Sequence, residues 1–138
     1  MKNLAIIFIT LIGNILFAPP PAGAYGEKPQ SSHCYMGCPV HSDRSVTVIT
    51  RKIYSLANNA ETKFADWVAY SVQAQNIGKT KKRIWRADPR LSPSETLEPE
   101  DYKGMWAANS TDRGHQAPLA SFTNTPYWEM TNYLSNIK

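Results

Sequence analysis

The sequence predicts an α+β fold, an antiparallel sheet accompanied by short helices. Two stretches carry the sheet. Residues 45–56 combine β-branched and aromatic side chains in Val46, Val48, Ile49, Ile53 and Tyr54, and residues 64–72 do so around Trp67, Val68 and Tyr70. Such compositions suit a pleated, half-buried surface. Asn58 and Asn59 stand between them as a turn signal, so the two stretches are expected to return on each other as a hairpin whose aromatic side chains mostly belong to a core. The helical signal is a single turn at Pro99-Glu100-Asp101-Tyr102, where proline and acids occupy the positions a helix start favours.

The chain has 138 residues, 42% of them hydrophobic and 11% aromatic. That is enough for one small domain and excludes a disordered or fibrous class. No internal repeat or low-complexity tract is present. The formal net charge of +4 and the sequence pI near 9.1 favour polyanionic partners, although a merely soluble surface has the same balance.

At the amino end, Met1-Lys2-Asn3 gives a short positive start, residues 4–18 are nearly continuously apolar with Asn14 the main exception, and Ala22-Gly23-Ala24 supplies small residues at a cleavage site. This pattern reads as a secretory signal peptide over residues 1–24. The apolar run, followed by Pro19-Pro20-Pro21, is short of the roughly 20 residues a spanning helix needs. The mature chain, residues 25–138, is therefore expected to be secreted and free of the membrane. Residues 25–32 are a loose polar lead-in, and order is expected from Cys34.

Cys34 and Cys38, the only two cysteines, are flanked by His33 and His41. The set superficially resembles a four-ligand zinc cluster, whereas an oxidising compartment favours a disulfide. Both readings stay open at this point. Farther along, residues 79–90 hold Lys79, Lys81, Lys82, Arg83, Arg86 and Arg90 against the lone acid Asp88. Such a run attracts a phosphate backbone without reading bases, and would equally serve as a solvated linker. Residues 91–104 then turn proline-rich and acidic, an irregular connection whose acids read as surface and caps rather than catalysts. A glycosylation sequon, Asn109-Ser110-Thr111, follows.

The densest chemistry lies in Asp112-Arg113-Gly114-His115. An imidazole can take a proton from water near neutral pH, and a guanidinium can bind phosphate oxygens bidentately. Gly114 is expected to let the backbone bend beside a bulky substrate. Taken alone, the quartet is equally a surface turn.

The run DRGHQAPLASF over residues 112–122, with Trp128-Glu129 and Asn132-Tyr133-Leu134-Ser135-Asn136-Ile137, resembles the DNA/RNA non-specific endonuclease family. The resemblance extends to CYMGCP at residues 34–39, to residues 62–70, to Gly78-Lys79-Thr80 and to residues 88–102. Ordered agreement across so many segments is far more specific than one motif. It implies a ββα-metal finger and a secreted, Mg2+-dependent enzyme that hydrolyses DNA and RNA through their phosphate backbone without sequence choice.

In that reading His115 is the general base, Arg113 and Arg83 bind phosphate, and Lys81 and Lys82 add substrate contacts. Asp112, Gly114, Asn132 and Asn136 support the site, the asparagines by hydrogen bonding. An unperturbed carboxylate such as Asp112 is too weak a base to compete with imidazole. Cys34 and Cys38 form a disulfide worth roughly 2 kcal/mol for so small a ring.

The resemblance also implies that the family's metal-holding asparagine falls beyond Lys138. The chain would then be the family's amino-terminal half and supply no metal ligand of its own. Strand edges would be left open, and Gly78, Trp85, Trp106 and Trp128 would be short of neighbours. Two functions compete: the endonuclease itself, and a catalytically inactive, truncated fragment that only binds nucleic acid. A minor third is a zinc-bearing exported protein built on His33, Cys34, Cys38 and His41.

Overall fold

The computed structural model describes residues 31–40, 45–110 and 112–138. The signal peptide expected over residues 1–24, most of the lead-in, His41 and Thr111 lie outside them. The architecture is α+β: a three-stranded antiparallel sheet in the order β1 (Val46–Thr50), β2 (Ser55–Asn59), β3 (Phe64–Ala69), followed by short helical turns. Among the described residues the α-helix is a single short one, α1 (Met105–Asn109), and no helix is long and apolar enough to cross a membrane.

The hairpin expected from residues 45–72 is antiparallel, but the stretch read as its first arm is two strands. Arg51 to Tyr54 reverse the chain, with Arg51 N–H donating to Tyr54 O at 2.8 Å. No glycine, proline or asparagine marks that turn, because distant partners hold it. The Tyr54 hydroxyl donates to Met130 O at 2.8 Å, and the Arg51 guanidinium pairs with Asp88. The turn between β2 and β3 starts after the Asn58-Asn59 signal. Both asparagines belong to β2, where Asn59 pairs with Phe64, and Asn59 Oδ1 accepts from Glu61 N–H at 2.9 Å, an asparagine-initiated turn. Between Ala57 and Asn58 the register with β3 shifts. Such a bulge sharpens the local twist.

As the central strand, β2 is buried from Ser55 to Asn58. Tyr54, Leu56, Ile49, Ile53 and Ala65 form the core with Ala117 and Phe122, and Val68, Tyr70, Leu91 and Met130 pack against it. The Tyr70 and Phe122 rings meet edge to face at 5.9 Å, the arrangement their quadrupoles favour. The expected turn at residues 99–102 is a 3-10 helix, Pro99–Tyr102, in which Asp101 Oδ2 accepts from Glu98 N–H at 2.8 Å.

Beside this apolar core lies a buried polar one. Asp88 is 2% exposed and Arg51 8%, so each charge depends on its partner. One Asp88 oxygen pairs with Arg51 and also accepts from Arg90 N–H at 2.9 Å, and the other accepts from the Ser135 hydroxyl. The Arg51 guanidinium also lies over the Tyr133 ring, 4.6 Å from its centroid. Three segments distant in sequence thus converge on one carboxylate. Next to it, Arg86 N–H donates to Asn132 O at 3.1 Å and Leu134 N–H to Arg86 O at 2.9 Å, which fastens the basic run to the carboxy-terminal segment.

Cys34 and Cys38 are bonded to each other, which removes both thiolates from the zinc reading. Gly37 within the ring has φ of 87°, a left-handed turn that favours glycine. His33 Nε2 lies 2.9 Å from Arg51 O, so the disulfide loop sits against the β1–β2 turn.

Replacing Asp88 by asparagine leaves the buried Arg51 charge unbalanced. The variant Asp88→Asn is expected to lose about 3–5 kcal/mol of unfolding free energy in urea titration, and Ser135→Ala about 1–3 kcal/mol. Losses below about 1 kcal/mol for Asp88→Asn would mean that the carboxylate is not the anchor described.

Candidate nuclease site

His115 does not sit on a free turn. Gly114 N–H donates to Lys138 O at 2.8 Å, Lys138 N–H returns a bond to Gly114 O at 2.9 Å, and Gln116 N–H donates to Asn136 O at 2.9 Å. The quartet therefore enters a short antiparallel ladder in which His115 faces Ile137. Gly114 has no positive φ, and a Cβ there would meet Lys138 O at an ordinary 3.5 Å. The tight bend expected of it is absent, because strand-like pairing sets the backbone here.

Asn136 locks the next residue. Its Oδ1 accepts from Ala117 N–H at 2.8 Å, and its Nδ2 donates to Ala117 O at 3.0 Å and to Thr131 O at 2.9 Å. One buried amide thus stands in for a strand partner. Asn132, also wholly buried, places Oδ1 3.4 Å from His115 Nε2. An amide oxygen can only accept, so this contact selects the Nε2–H tautomer and leaves the lone pair on Nδ1.

Burial holds the His115 imidazole below its usual range, and the nearby Arg83 charge pushes in the same direction, while the Asn132 contact partly offsets them. The ring is therefore neutral near pH 7, as a base needs to be. Sequence reasoning missed the element that organises the cationic groups. Trp85 stacks at 5.1 Å and 36° on the His115 ring, and the Arg113 guanidinium lies 5.0 Å from the Trp85 centroid. Arg113 is also 5.2 Å from the Tyr102 ring. Two aromatic faces hold the guanidinium without occupying its N–H donors. The available signal was the tryptophan two residues after Arg83.

A cleft of about 300 Å³ is lined by His115, Arg83, Lys81, Gly78, Thr80 and Thr123, among others. Arg83 and Lys81 are exposed, and the Lys81 ammonium stands 5.5 Å from the Trp128 centroid. Gly78 is closely packed: a Cβ would come within 2.9 Å of Asn124 Cβ, and its N–H donates to Thr123 Oγ1 at 2.7 Å. Gly78, Trp85 and Trp128 thus have neighbours that the sequence reading expected them to lack. Trp106, in contrast, is 68% exposed.

Arg113 and Asp112 line a second cleft, separate from the one lined by His115 and Arg83. Asp112 is exposed, and its Oδ1 accepts from Arg113 N–H at 2.7 Å. Lys82 lines neither cleft. No three His, Cys, Asp or Glu side chains gather as a metal cluster among the described residues. The Asn136 oxygen is committed to Ala117, and the Asn132 oxygen faces an imidazole N–H. Neither site asparagine therefore has a free oxygen to offer a magnesium ion, which takes oxygen donors.

The family model for DNA/RNA non-specific endonucleases matches residues 29–138. A nuclease of Serratia marcescens is 49% identical over 105 residues, which cover 76% of this chain and 39% of the relative. The chain thus spans well under half the length of that relative.

His115 is expected to titrate below 6.5 when its ring protons are followed by NMR. Arg83→Gln should move the midpoint upward, because it removes a cation that opposes protonation. Asn132→Ala should move it further down by removing the acceptor for Nε2–H. A midpoint at or above 6.5 in the unaltered chain contradicts the geometry.

Proposed function

The chain belongs to the DNA/RNA non-specific endonuclease family, and on that footing we propose that it carries the base and the phosphate-binding residues of a secreted enzyme that hydrolyses phosphodiester bonds of DNA and RNA. The observation that carries this reading is the stack of His115 on Trp85 and of Trp85 on Arg113, with Arg83 at the mouth of the His115 cleft. It sets a neutral base between cations able to bind phosphate oxygens.

His115 Nδ1 accepts a proton from water as the water oxygen attacks phosphorus. Arg113 and Arg83 hold the non-bridging oxygens and the charge that grows on them. The bond from phosphorus to the leaving oxygen then breaks, the departing oxygen takes a proton from solvent water, and the imidazolium returns its own proton to solvent. Lys81 and Lys82 extend the cationic surface along the backbone. Contacts of this kind carry no base information, which supports indifference to sequence. Asp112 holds the backbone of Arg113, and Asn132 and Asn136 fix the imidazole and the strand behind it.

The family resemblance implies magnesium, whose chemistry is Lewis-acid stabilisation of phosphate charge. Because the oxygens of Asn132 and Asn136 are already engaged, no step of this scheme runs through that ion, and a second reading has its own support: a chain that binds nucleic acid without cleaving it. The leader-like residues 1–24 and the Cys34–Cys38 disulfide favour export to an oxidising compartment.

Supercoiled plasmid incubated with the chain in magnesium, beside an EDTA control and a His115→Ala variant, separates the two. Cleavage is expected in magnesium alone, and His115→Ala should slow it about 10²–10⁴-fold while still shifting plasmid in a gel. The acid limb of the rate profile should lie below 6.5, with rates rising as the imidazole loses its proton. Binding without any cleavage would favour the second reading, and wild-type rates from His115→Ala would remove His115 from the chemistry.

A further inference from the structure

The larger of the two clefts, about 570 Å³, is not the one at His115. It opens beyond Arg113 and is lined by Phe64, Tyr102, Met105, Trp106 and Lys138 as well as Arg113 and Asp112. Trp106 is 68% exposed and Met105 36%. Their helix, α1, is bounded by two left-handed residues, Gly104 at φ 80° and Ser110 at φ 52°. Nothing lies within 4 Å of a Cβ built on Gly104, so its positive φ, not crowding, calls for glycine. The tryptophan is therefore displayed at the surface.

We propose that this cleft is a nucleobase subsite that receives an unpaired base of a single-stranded substrate, whose neighbouring phosphate lies on Arg113. The inference rests on the phosphate role assigned to Arg113 above. Three features select this occupant. The exposed indole of Trp106 offers a flat face to a base, beside the Tyr102 ring that carries the Arg113 guanidinium. The lining sets Arg113 and Lys138 against Asp101 and Asp112, so the phosphate is assigned to the ring-held Arg113 guanidinium alone. Arg113 is also shared, since it lies over both Tyr102 and Trp85, so a strand bound there has one base toward Trp106 and its phosphate toward the His115 side. Stacking of this sort tolerates every base, in keeping with a nuclease indifferent to sequence, and predicts a preference for unpaired strands.

The test is equilibrium binding of the 138-residue chain in EDTA to short oligothymidylate and to an abasic phosphate chain of equal length and charge. The base-bearing strand is expected to bind about tenfold tighter. Trp106→Ala should abolish that difference without changing abasic binding, and Trp106→Phe should keep most of it, which separates stacking from misfolding. Equal affinity of the unaltered chain for both probes, or a preference that survives Trp106→Ala, overturns the subsite. Arg113→Gln should weaken the abasic probe. If it does not, the phosphate reading falls while any base preference remains visible. Self-association that requires Trp106 would instead give the cleft to a second copy of the chain and also overturn the proposal.

Discussion

The buried carboxylate of Asp88 is the constraint on which the rest of this structure depends. A small domain gains little from exposed ion pairs, but a charge pair withdrawn from water fixes its partners, because either group alone is costly. Asp88 takes Arg51 from the β1–β2 turn, the Ser135 hydroxyl from the carboxy-terminal segment and the Arg90 amide from its own loop. The sheet, the basic run and the strand behind His115 therefore share one point of attachment. Two backbone bonds between Arg86 and residues 132–134 carry that attachment to Trp85, the residue just before Arg86.

The site follows from that placement. Trp85 meets the His115 ring and the Arg113 guanidinium on its way out of the anchored segment. Asn136 fixes the backbone of Ala117 with both ends of its amide, and Asn132 orients the imidazole. The cations that would meet phosphate stay at the surface. Burial is thus reserved for groups that hold position, and exposure for groups that would bind substrate. The same division explains why His115, half inside, has a depressed pKa while Lys81 and Arg83 remain solvated.

Much of this was legible in the sequence. The β-branched stretches gave the antiparallel sheet, the proline and acids gave the 3-10 turn at Pro99–Tyr102, and the DRGHQAPLASF run pointed to the family. Local signals failed where distant residues decide the local shape. The turn from Arg51 to Tyr54 has no turn residues and exists because Asp88 and Met130 hold its ends. Trp85 read as short of neighbours and Tyr102 as part of the 99–102 turn, since only the fold brings them to either side of Arg113. Gly114 misled in the opposite direction: its type suggested a strained bend, while pairing with Lys138 makes it extended.

Amide hydrogen exchange tests most directly whether the Asp88 anchor governs the site. In the unaltered chain the amides of Arg86 and Leu134, bonded across the two segments, should be protected along with those of β2. In Asp88→Asn, assayed where the chain is still folded, Arg86 and Leu134 should exchange at close to solvent rates while the β2–β3 amides stay protected. Unchanged protection of Arg86 and Leu134 in that variant would contradict the account, since the basic run would then be held in place without the buried carboxylate.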